Sequence, residues 1–214
     1  MTTKRARRGR DFIARHGETV FNAAARMQGD HAHTPLTRAG FAQADDMGAA
    51  LAAYLGQQPP LSLWASPTGR ALQTLAVVAE HVGLDWHRAQ TDARLVEIGT
   101  GSWGGRYYAE IAAEVGDVVF AGTGLLRPSP DGEDYPAIAR RVSGWLADTN
   151  DHDGDRLVIM HGISSRVLRG VMTGLDNHPA IGAPAAPSLP QGSLVMIEQG
   201  VETVIHRGSG YAPA

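Results

Sequence analysis

The stretch DFIARHGET, residues 11–19, joins a short apolar run to two adjacent charged side chains, Arg15 and His16, and a glycine. The apolar run has the length of a short buried strand. A second buried run, Arg156–Met160, also ends in a histidine, His161, followed by glycine. Parallel sheets form their sites beyond the carboxyl ends of their strands. These two runs therefore indicate a parallel sheet with two histidines at one edge.

The rest of the chain alternates apolar strand-like runs with amphipathic segments at helical spacing. The predicted strands are Asp11–Ala14, Leu61–Ser66, Asp85–Ala89, Arg156–Met160, Ser193–Ile197 and Thr203–His206. The first predicted helix starts after the cap residue Thr37, and the second covers Gly69–His81 and is capped by Gly83. Apolar residues within Tyr108–Val115 and Ile138–Leu146 mark two further helices, and the last predicted helix covers Ser164–Thr173. This alternation predicts an α/β three-layer sandwich, with a mostly parallel central sheet and helices on both faces.

The 214 residues, 43% of them hydrophobic, suit one domain, which we expect over residues 11–214. Residues 1–10 form a basic tail that we expect to be disordered, and residues 106–135 a small variable lid. A net charge of −3 argues against a nucleic-acid partner. The sequence shows no signal-peptide or membrane-spanning stretch, so we expect no membrane partner and a cytoplasmic protein. The absence of cysteine excludes thiolate catalysis and disulfides.

The strand ends bring together Arg15, His16 and His161, and Arg70 lies in the first turn of the helix after a third strand. Guanidinium groups match the geometry of phosphate oxygens. Nearby cations disfavour a charged imidazole, and a neutral imidazole is a nucleophile towards phosphorus. Gly17 allows a backbone carbonyl to hold one ring nitrogen while the other stays available. We therefore predict a nucleophilic histidine beside a phosphate clamp.

Five motifs resemble those of the histidine phosphatase superfamily, also called phosphoglycerate mutase-like, in order and spacing. They are RHGET at Arg15–Thr19, Asn22, ASPTGRALQT at Ala65–Thr74, RLVEIGTGSWGG at Arg94–Gly105, and HG at His161–Gly162. The resemblance covers nearly the whole chain from Asp11. It implies the phosphoglycerate mutase-like version of the predicted fold.

The resemblance also implies a role for each matching position. His16 would become phosphohistidine, Glu97 would be the general acid and then the base, and Arg15, Arg70 and His161 would hold the transferring phosphoryl group. Asn22, Gln28, Gly29 and Gly162 would contact the phosphate or the rest of the substrate. No metal and no cofactor is implied, because the arginines and His161 supply the positive charge.

Three functions stay open at this point. Hydrolysis of a small phosphorylated metabolite is favoured over mutase chemistry, because residues 106–132 contain only two cations, Arg106 and Arg127, for a second phosphate. The third is a protein that binds a phosphorylated ligand without turnover. Departures from the family pattern at Phe21, His33, Gly104 and Gln191 leave the substrate open. A homodimer is possible.

Several side chains allow two interpretations. His31 and His33 fit a solvated loop better than a metal site, because no third ligand is in view. Trp103 fits either a lid over the pocket or the core. Glu133 resembles a family element that opens a helix, and the helix dipole alone also favours an acid there.

Overall fold

The central sheet of the computed structural model has six strands. The structure describes residues 8–211, so Lys4, Arg5 and Arg7 of the basic tail lie outside the described part. The strands of this sheet are β1 (Asp11–Arg15), β2 (Leu61–Ala65), β3 (Gln90–Thr91), β6 (Asp155–Met160), β7 (Leu194–Glu198) and β8 (Val201–His206). A separate two-stranded hairpin consists of β4 (Val119–Phe120) and β5 (Leu125–Leu126). The helices are α1 (Val20–Ala23), α2 (Arg38–Leu55), α3 (Gly69–His81), α4 (Tyr108–Val115), α5 (Tyr135–Asp148) and α6 (Gly162–Met172).

The six strands lie in the order β3-β2-β6-β1-β7-β8, and all of them except β7 run in one direction. β1 pairs with β6 in parallel, and Arg15 is opposite Met160 in that register. The residues that follow, His16 and His161, are therefore neighbours at the carboxyl edge of the sheet. β2 pairs with the other side of β6, which brings the start of α3 to the same edge.

The two faces of the sheet are covered by different helices, as the period-2 pattern of β1 requires. Phe12 and Ala14 pack into a cluster with α2 and α3, whereas Ile13 packs into a cluster with α5 and α6. This arrangement confirms the predicted three-layer α/β sandwich with a mostly parallel sheet.

The predicted strand at Asp85–Ala89 is wrong. Trp86–Arg88 form a 3₁₀ turn, because the Asp85 side chain accepts a hydrogen bond from the His87 N–H and starts the turn. The neighbouring strand, β3, begins at Gln90 and has only two residues.

Residues 106–135 contain α4 and the β4–β5 hairpin. They pack around a small apolar cluster of Met27, Trp103, Ile111 and Val118. Trp103 is only 7% exposed, so it belongs to this core. Arg10, the last residue of the predicted tail, pairs with Asp155 at 2.6 Å and therefore packs on the folded domain.

Within residues 8–211, none of the helices has the length and apolar character needed to cross a bilayer.

Candidate active site

His16 follows the last residue of β1 and is 3% exposed. Its Nδ1 lies 2.7 Å from the carbonyl oxygen of Gly17. Since a carbonyl can only accept, Nδ1 carries the proton and Nε2 of the neutral ring carries the lone pair. A Cβ on Gly17 would overlap the backbone carbonyl of Gly40 in α2, so only glycine permits this close approach.

The surroundings of His16 keep it neutral. Burial lowers the pKa of His16 well below its ordinary value, and the positive charges of Arg70 and Arg15 lower it further. The hydrogen bond to Gly17 opposes this shift, but the net direction is down. The ring is therefore uncharged at neutral pH, with one nitrogen available as a nucleophile.

His161 follows the last residue of β6 and is fully buried. Its ring centroid lies 5.1 Å from that of His16, at an interplanar angle of 65°. Arg70 Nε donates to its Nδ1 at 3.2 Å, so the neutral ring carries its proton on Nε2, which lies 3.5 Å from Thr68 Oγ1. Burial, Arg70 and His16 lower the pKa of His161. The two histidines are therefore opposite tautomers: Nε2 of His16 carries a lone pair, whereas Nε2 of His161 carries a proton.

Arg70, at the second position of α3, is fully buried, and protein atoms bind most of its guanidinium. Besides its bond to His161, Nη1 donates to the His31 carbonyl at 2.5 Å and to Thr34 Oγ1 at 3.0 Å, and Nη2 donates to the Gly29 carbonyl at 2.8 Å. Of its five N–H groups, one on Nη2 has no acceptor among residues 8–211. Burial lowers the pKa of Arg70 to about 10, against the opposing charges of Glu97 and Asp30.

Arg15 ends β1, and its side chain lies against Gly162, where a Cβ would approach Nε to 3.3 Å. Nη1 donates to the Leu189 carbonyl at 3.0 Å and the Tyr211 carbonyl at 3.4 Å. Nη2 has no acceptor within the described part of the chain. Burial lowers the pKa of Arg15, and the charge of Glu97 opposes this. Arg15 therefore has more donors left for a ligand than Arg70 has.

Glu97 lies at the N-terminus of α6, next to His161. Its Oε1 accepts from the Ser164 N–H at 2.8 Å and from the Ile98 N–H at 3.0 Å, and its Oε2 accepts from the Ile163 N–H at 3.0 Å. The carboxylate thus satisfies two of the N–H groups that a helix leaves unpaired at its start. Its negative charge opposes the lowering of the Arg15 and Arg70 pKa values by burial, so it acts on both guanidinium groups.

Of the remaining predicted contacts, Asn22 lies in α1, Gln28 and Gly29 lie in the loop that follows it, and Gly162 starts α6. Thr19 Oγ1 lies 2.8 Å from Asn22 Oδ1 and also contacts Gln28 Oε1, so Thr19 links these two amides. The Gly29 carbonyl accepts a hydrogen bond from Arg70, so this loop is attached to α3. Gly162 begins α6 beneath the guanidinium of Arg15.

His31 and His33 are both exposed, and His31 contributes its backbone carbonyl to Arg70. Among the described residues, no group of three or more His, Cys, Asp or Glu side chains is arranged to hold a metal ion.

A model of the histidine phosphatase superfamily (branch 1) matches residues 12–198. The chain belongs to this superfamily. Its curated relatives include a protein of Yersinia pestis (strain Pestoides F) named "Probable phosphoglycerate mutase GpmB", which is 30% identical over 172 residues, covering 78% of this chain and 76% of the relative.

Solved structures of similar fold include two phosphatases. The alpha-ribazole phosphatase from Shigella flexneri has a TM-score of 0.71 at 22% identity, covering 94% of this chain and 96% of that one. A mycobacterial glucosyl-3-phosphoglycerate phosphatase, in a complex with VO₃, has a TM-score of 0.69 at 23% identity, covering 96% of this chain and 100% of that one. At these identities the likeness establishes the fold.

Sequence reasoning missed the residues that support the site in this member of the superfamily. Thr34 and Thr68 contact Arg70 and His161, and Thr74 contacts the Gly17 peptide. Arg141 pairs at 2.7 Å with Glu133, which the sequence associates only with the start of a helix, and donates to backbone carbonyls of the segment that carries Glu97. Thr68 and Thr74 flank Arg70 in its own motif, which was a usable signal, whereas Arg141 lies in an ordinary amphipathic helix pattern.

Proposed function

We propose that the protein is a metal-independent phosphomonoesterase that forms phosphohistidine at His16 and acts on a small phosphorylated metabolite. The observation that carries the proposal is the hydrogen bond from His16 Nδ1 to the Gly17 carbonyl. It leaves the Nε2 lone pair available, while burial and two guanidinium groups keep the ring neutral. A neutral imidazole with one nitrogen held is the form that attacks phosphorus.

In the proposed mechanism, the phosphoryl oxygens bind Arg15 Nη2, the remaining Nη2 N–H of Arg70 and the Nε2–H of His161. His16 Nε2 forms a bond to phosphorus as the bond from phosphorus to the ester oxygen breaks. Glu97, in its acid form, gives its proton to the leaving oxygen. Glu97 then removes a proton from water, which attacks phosphorus, releases inorganic phosphate and restores His16. Donors arranged around the phosphoryl group stabilise the charge of both transition states.

Hydrolysis is favoured over mutase chemistry because both cations of residues 106–132, Arg106 and Arg127, already contact other side chains. Arg106 is paired with Glu114, and Arg127 stacks on the Phe120 ring at 4.6 Å from its centroid. Neither is poised to neutralise a second phosphate. The name of the Yersinia relative keeps mutase activity as the second candidate. The two phosphatase neighbours are named for different substrates, so we propose only the class of small phosphomonoesters.

The test is a phosphatase assay of wild type, His16→Ala and the control His87→Ala over a panel of sugar phosphates, phosphoglycerates and nucleoside monophosphates. His87 is exposed on a surface turn, so its loss leaves the site intact. We expect chelator-insensitive phosphate release by wild type and the control, and none by His16→Ala. Activity that survives in His16→Ala would refute the proposed nucleophile.

A second assay separates the alternatives. The protein is incubated with 3-phosphoglycerate and 2,3-bisphosphoglycerate, and 2-phosphoglycerate is measured. Rapid isomerisation would establish the mutase instead. Ligand binding with no turnover on any substrate would support a non-catalytic phosphate-binding protein. A cytoplasmic location and a homodimer stay predictions from the sequence.

A further inference from the structure

The segment that carries Glu97 has no regular secondary structure of its own. Between the 3₁₀ turn that ends at Leu95 and the one that starts at Gly101, the backbone forms neither helix nor strand. The carboxylate end of Glu97 is fixed by the first N–H groups of α6. The backbone end needs support from other elements, because a carboxyl group transfers a proton only within hydrogen-bonding reach of its partner.

Arg141, in α5, and Glu133, two residues before that helix, form a bidentate ion pair. Arg141 Nε donates to Glu133 Oε1 at 2.7 Å, and Arg141 Nη2 donates to Glu133 Oε2 at 3.0 Å. Two parallel bonds of this kind fix the relative orientation of the two side chains. Both side chains are largely buried, with exposed fractions of 15% for Arg141 and 20% for Glu133. The pair is therefore a rigid unit attached to α5.

This pair binds the backbone on both sides of Glu97. Arg141 Nη1 donates to the Arg94 carbonyl at 2.6 Å, and Nη2 also lies 3.4 Å from the Glu97 carbonyl. Glu133 Oε2 accepts from the Gly99 N–H at 3.3 Å, and the Glu133 N–H donates to the Gly99 carbonyl at 2.7 Å. The pair thus holds the backbone from three residues before Glu97 to two residues after it.

The donors of Arg141 are committed to the protein. Four of its five N–H groups have acceptors among residues 8–211, and Glu133 balances its charge. Arg141 nevertheless lies near the site, because it contributes, after burial, Arg70 and His16, to lowering the pKa of His161. The arginine is therefore placed to act through the backbone that it holds, and a phosphoryl group finds few donors left on it.

We propose that Arg141 and Glu133 are positioning residues for Glu97, so that proton transfer to the leaving oxygen depends on their ion pair. The inference rests on the proposed function, because it assigns the pair a part in the same reaction. The pair itself moves no proton. When it is broken, the peptide of Glu97 is free to shift, and a misplacement of about 1 Å at a reacting group costs on the order of 100-fold in rate.

The test compares two phosphomonoesters that differ in their need for an acid. The first is the aliphatic ester that wild type hydrolyses best, whose alkoxide leaving group needs a proton. The second is 4-nitrophenyl phosphate, whose phenolate leaves without one. We measure kcat/KM, because it includes only the steps up to release of the leaving group. We expect Glu97→Gln to lose kcat/KM on the aliphatic ester and to keep most of it on the aryl ester.

Two variants break the pair in different ways. Arg141→Lys keeps the charge, but one ammonium group does not reproduce the guanidinium fork. Glu133→Gln keeps the shape of the side chain and removes its charge. Arg140→Lys makes the same change as the first variant at the neighbouring, exposed position of α5 and is the matched control.

We expect both pair variants to lose about 10- to 100-fold in kcat/KM on the aliphatic ester and less than about threefold on 4-nitrophenyl phosphate. The control should lose neither. If Arg141→Lys fails to fold, Glu133→Gln still supplies the comparison.

The leaving-group comparison separates positioning from a structural role. Equal losses on both esters, or no loss on either, would overturn the inference and leave the proposed function intact. Equal losses in Glu97→Gln would also overturn it, because Glu97 would then not be the acid. Failure of wild type to release phosphate from any ester would overturn the proposed function itself.

Discussion

Thr74 connects the peptide that holds His16, the proposed nucleophile, to the helix that carries Arg70. Its Oγ1 accepts from the Gly17 N–H at 3.2 Å and donates to the Arg70 carbonyl at 2.8 Å. The carbonyl of the same glycine holds His16. Thr74 therefore fixes Gly17 between His16 and α3, and we expect it to act as a positioning residue for the proposed nucleophile.

Thr74→Val keeps the shape of the side chain and removes the hydroxyl. Because the buried Gly17 N–H loses its acceptor, we expect the free energy of unfolding to fall by about 1–3 kcal/mol. Because His16 then loses its fixed orientation, we expect kcat to fall on the order of 10- to 100-fold with little change in KM. Thr74→Ser restores both in urea unfolding and steady-state assays. A loss of stability with kcat unchanged would reduce Thr74 to a purely structural residue.

The residue scale also shows what the sequence could predict. The strand ends predicted the neighbouring His16 and His161, and glycine after His16 predicted the carbonyl that holds its ring, which the structure places in Gly17 itself. The sequence predicts Arg70 as a phosphate ligand, but it does not predict that protein atoms bind most of its guanidinium. Its acceptors on Gly29, His31 and Thr34 come from a loop about forty residues away, so no local pattern could reveal them.

At the scale of elements, α6 depends on a side chain from a distant loop. Its N-cap residue, His161, makes no side-chain capping bond, and Glu97 binds the N–H groups of Ile163 and Ser164 instead. The acid proposed for proton transfer is therefore also the cap of the helix that follows His161. Its removal should affect stability and rate together.

Glu97→Ala removes both acceptors, and we expect the free energy of unfolding to fall by about 1–2 kcal/mol, as for the loss of a helix cap. Glu97→Gln keeps one side-chain oxygen for the helix and removes the proton-transfer group, so it should lose less stability but as much kcat. Glu80→Ala, on the exposed face of α3, is the control for charge. Urea unfolding and phosphate release measure the two effects. Equal stability of Glu97→Ala and wild type would contradict the capping role.

The elements that periodicity predicted are the long ones. The Gly69–His81 helix has the predicted bounds, and Thr37 caps α2 with a bond from the Gly40 N–H. The sequence did not predict the β4–β5 hairpin, because two-residue strands have too few positions to show an alternating apolar pattern. The sequence did not predict the turn at Asp85, because a single hydrogen bond from the His87 N–H to the Asp85 side chain stabilises it.

At the scale of the whole molecule, the buried histidines couple stability to pH. The pKa values of His16 and His161 are lowered well below 6.5 in the folded protein. When the pH falls below 6.5, the unfolded chain takes up these protons and the folded protein does not. This contribution to stability is thus fully present above pH 6.5 and is lost as the pH falls below it, until the lowered pKa values are reached.

We expect the free energy of unfolding to fall by up to about 1.4 kcal/mol per pH unit for each of the two histidines below pH 6.5. His161→Asn keeps an acceptor for Arg70 and removes one titrating group, so its slope should be about half as steep. Urea unfolding at several pH values between 5 and 8 measures both slopes. Identical slopes would show that His161 is not held neutral in the folded state.

The strand order also governs how the chain must fold as it is synthesised. β1, which ends just before His16, is flanked by β6 and β7, whose pairing residues run from Arg156 to Met160 and from Leu194 to Ile197. β1 therefore cannot pair until most of the polypeptide has left the ribosome. Such long-range pairing slows folding and leaves intermediates with exposed apolar surface that aggregate readily. Chaperone supply during expression should consequently raise the yield of folded protein.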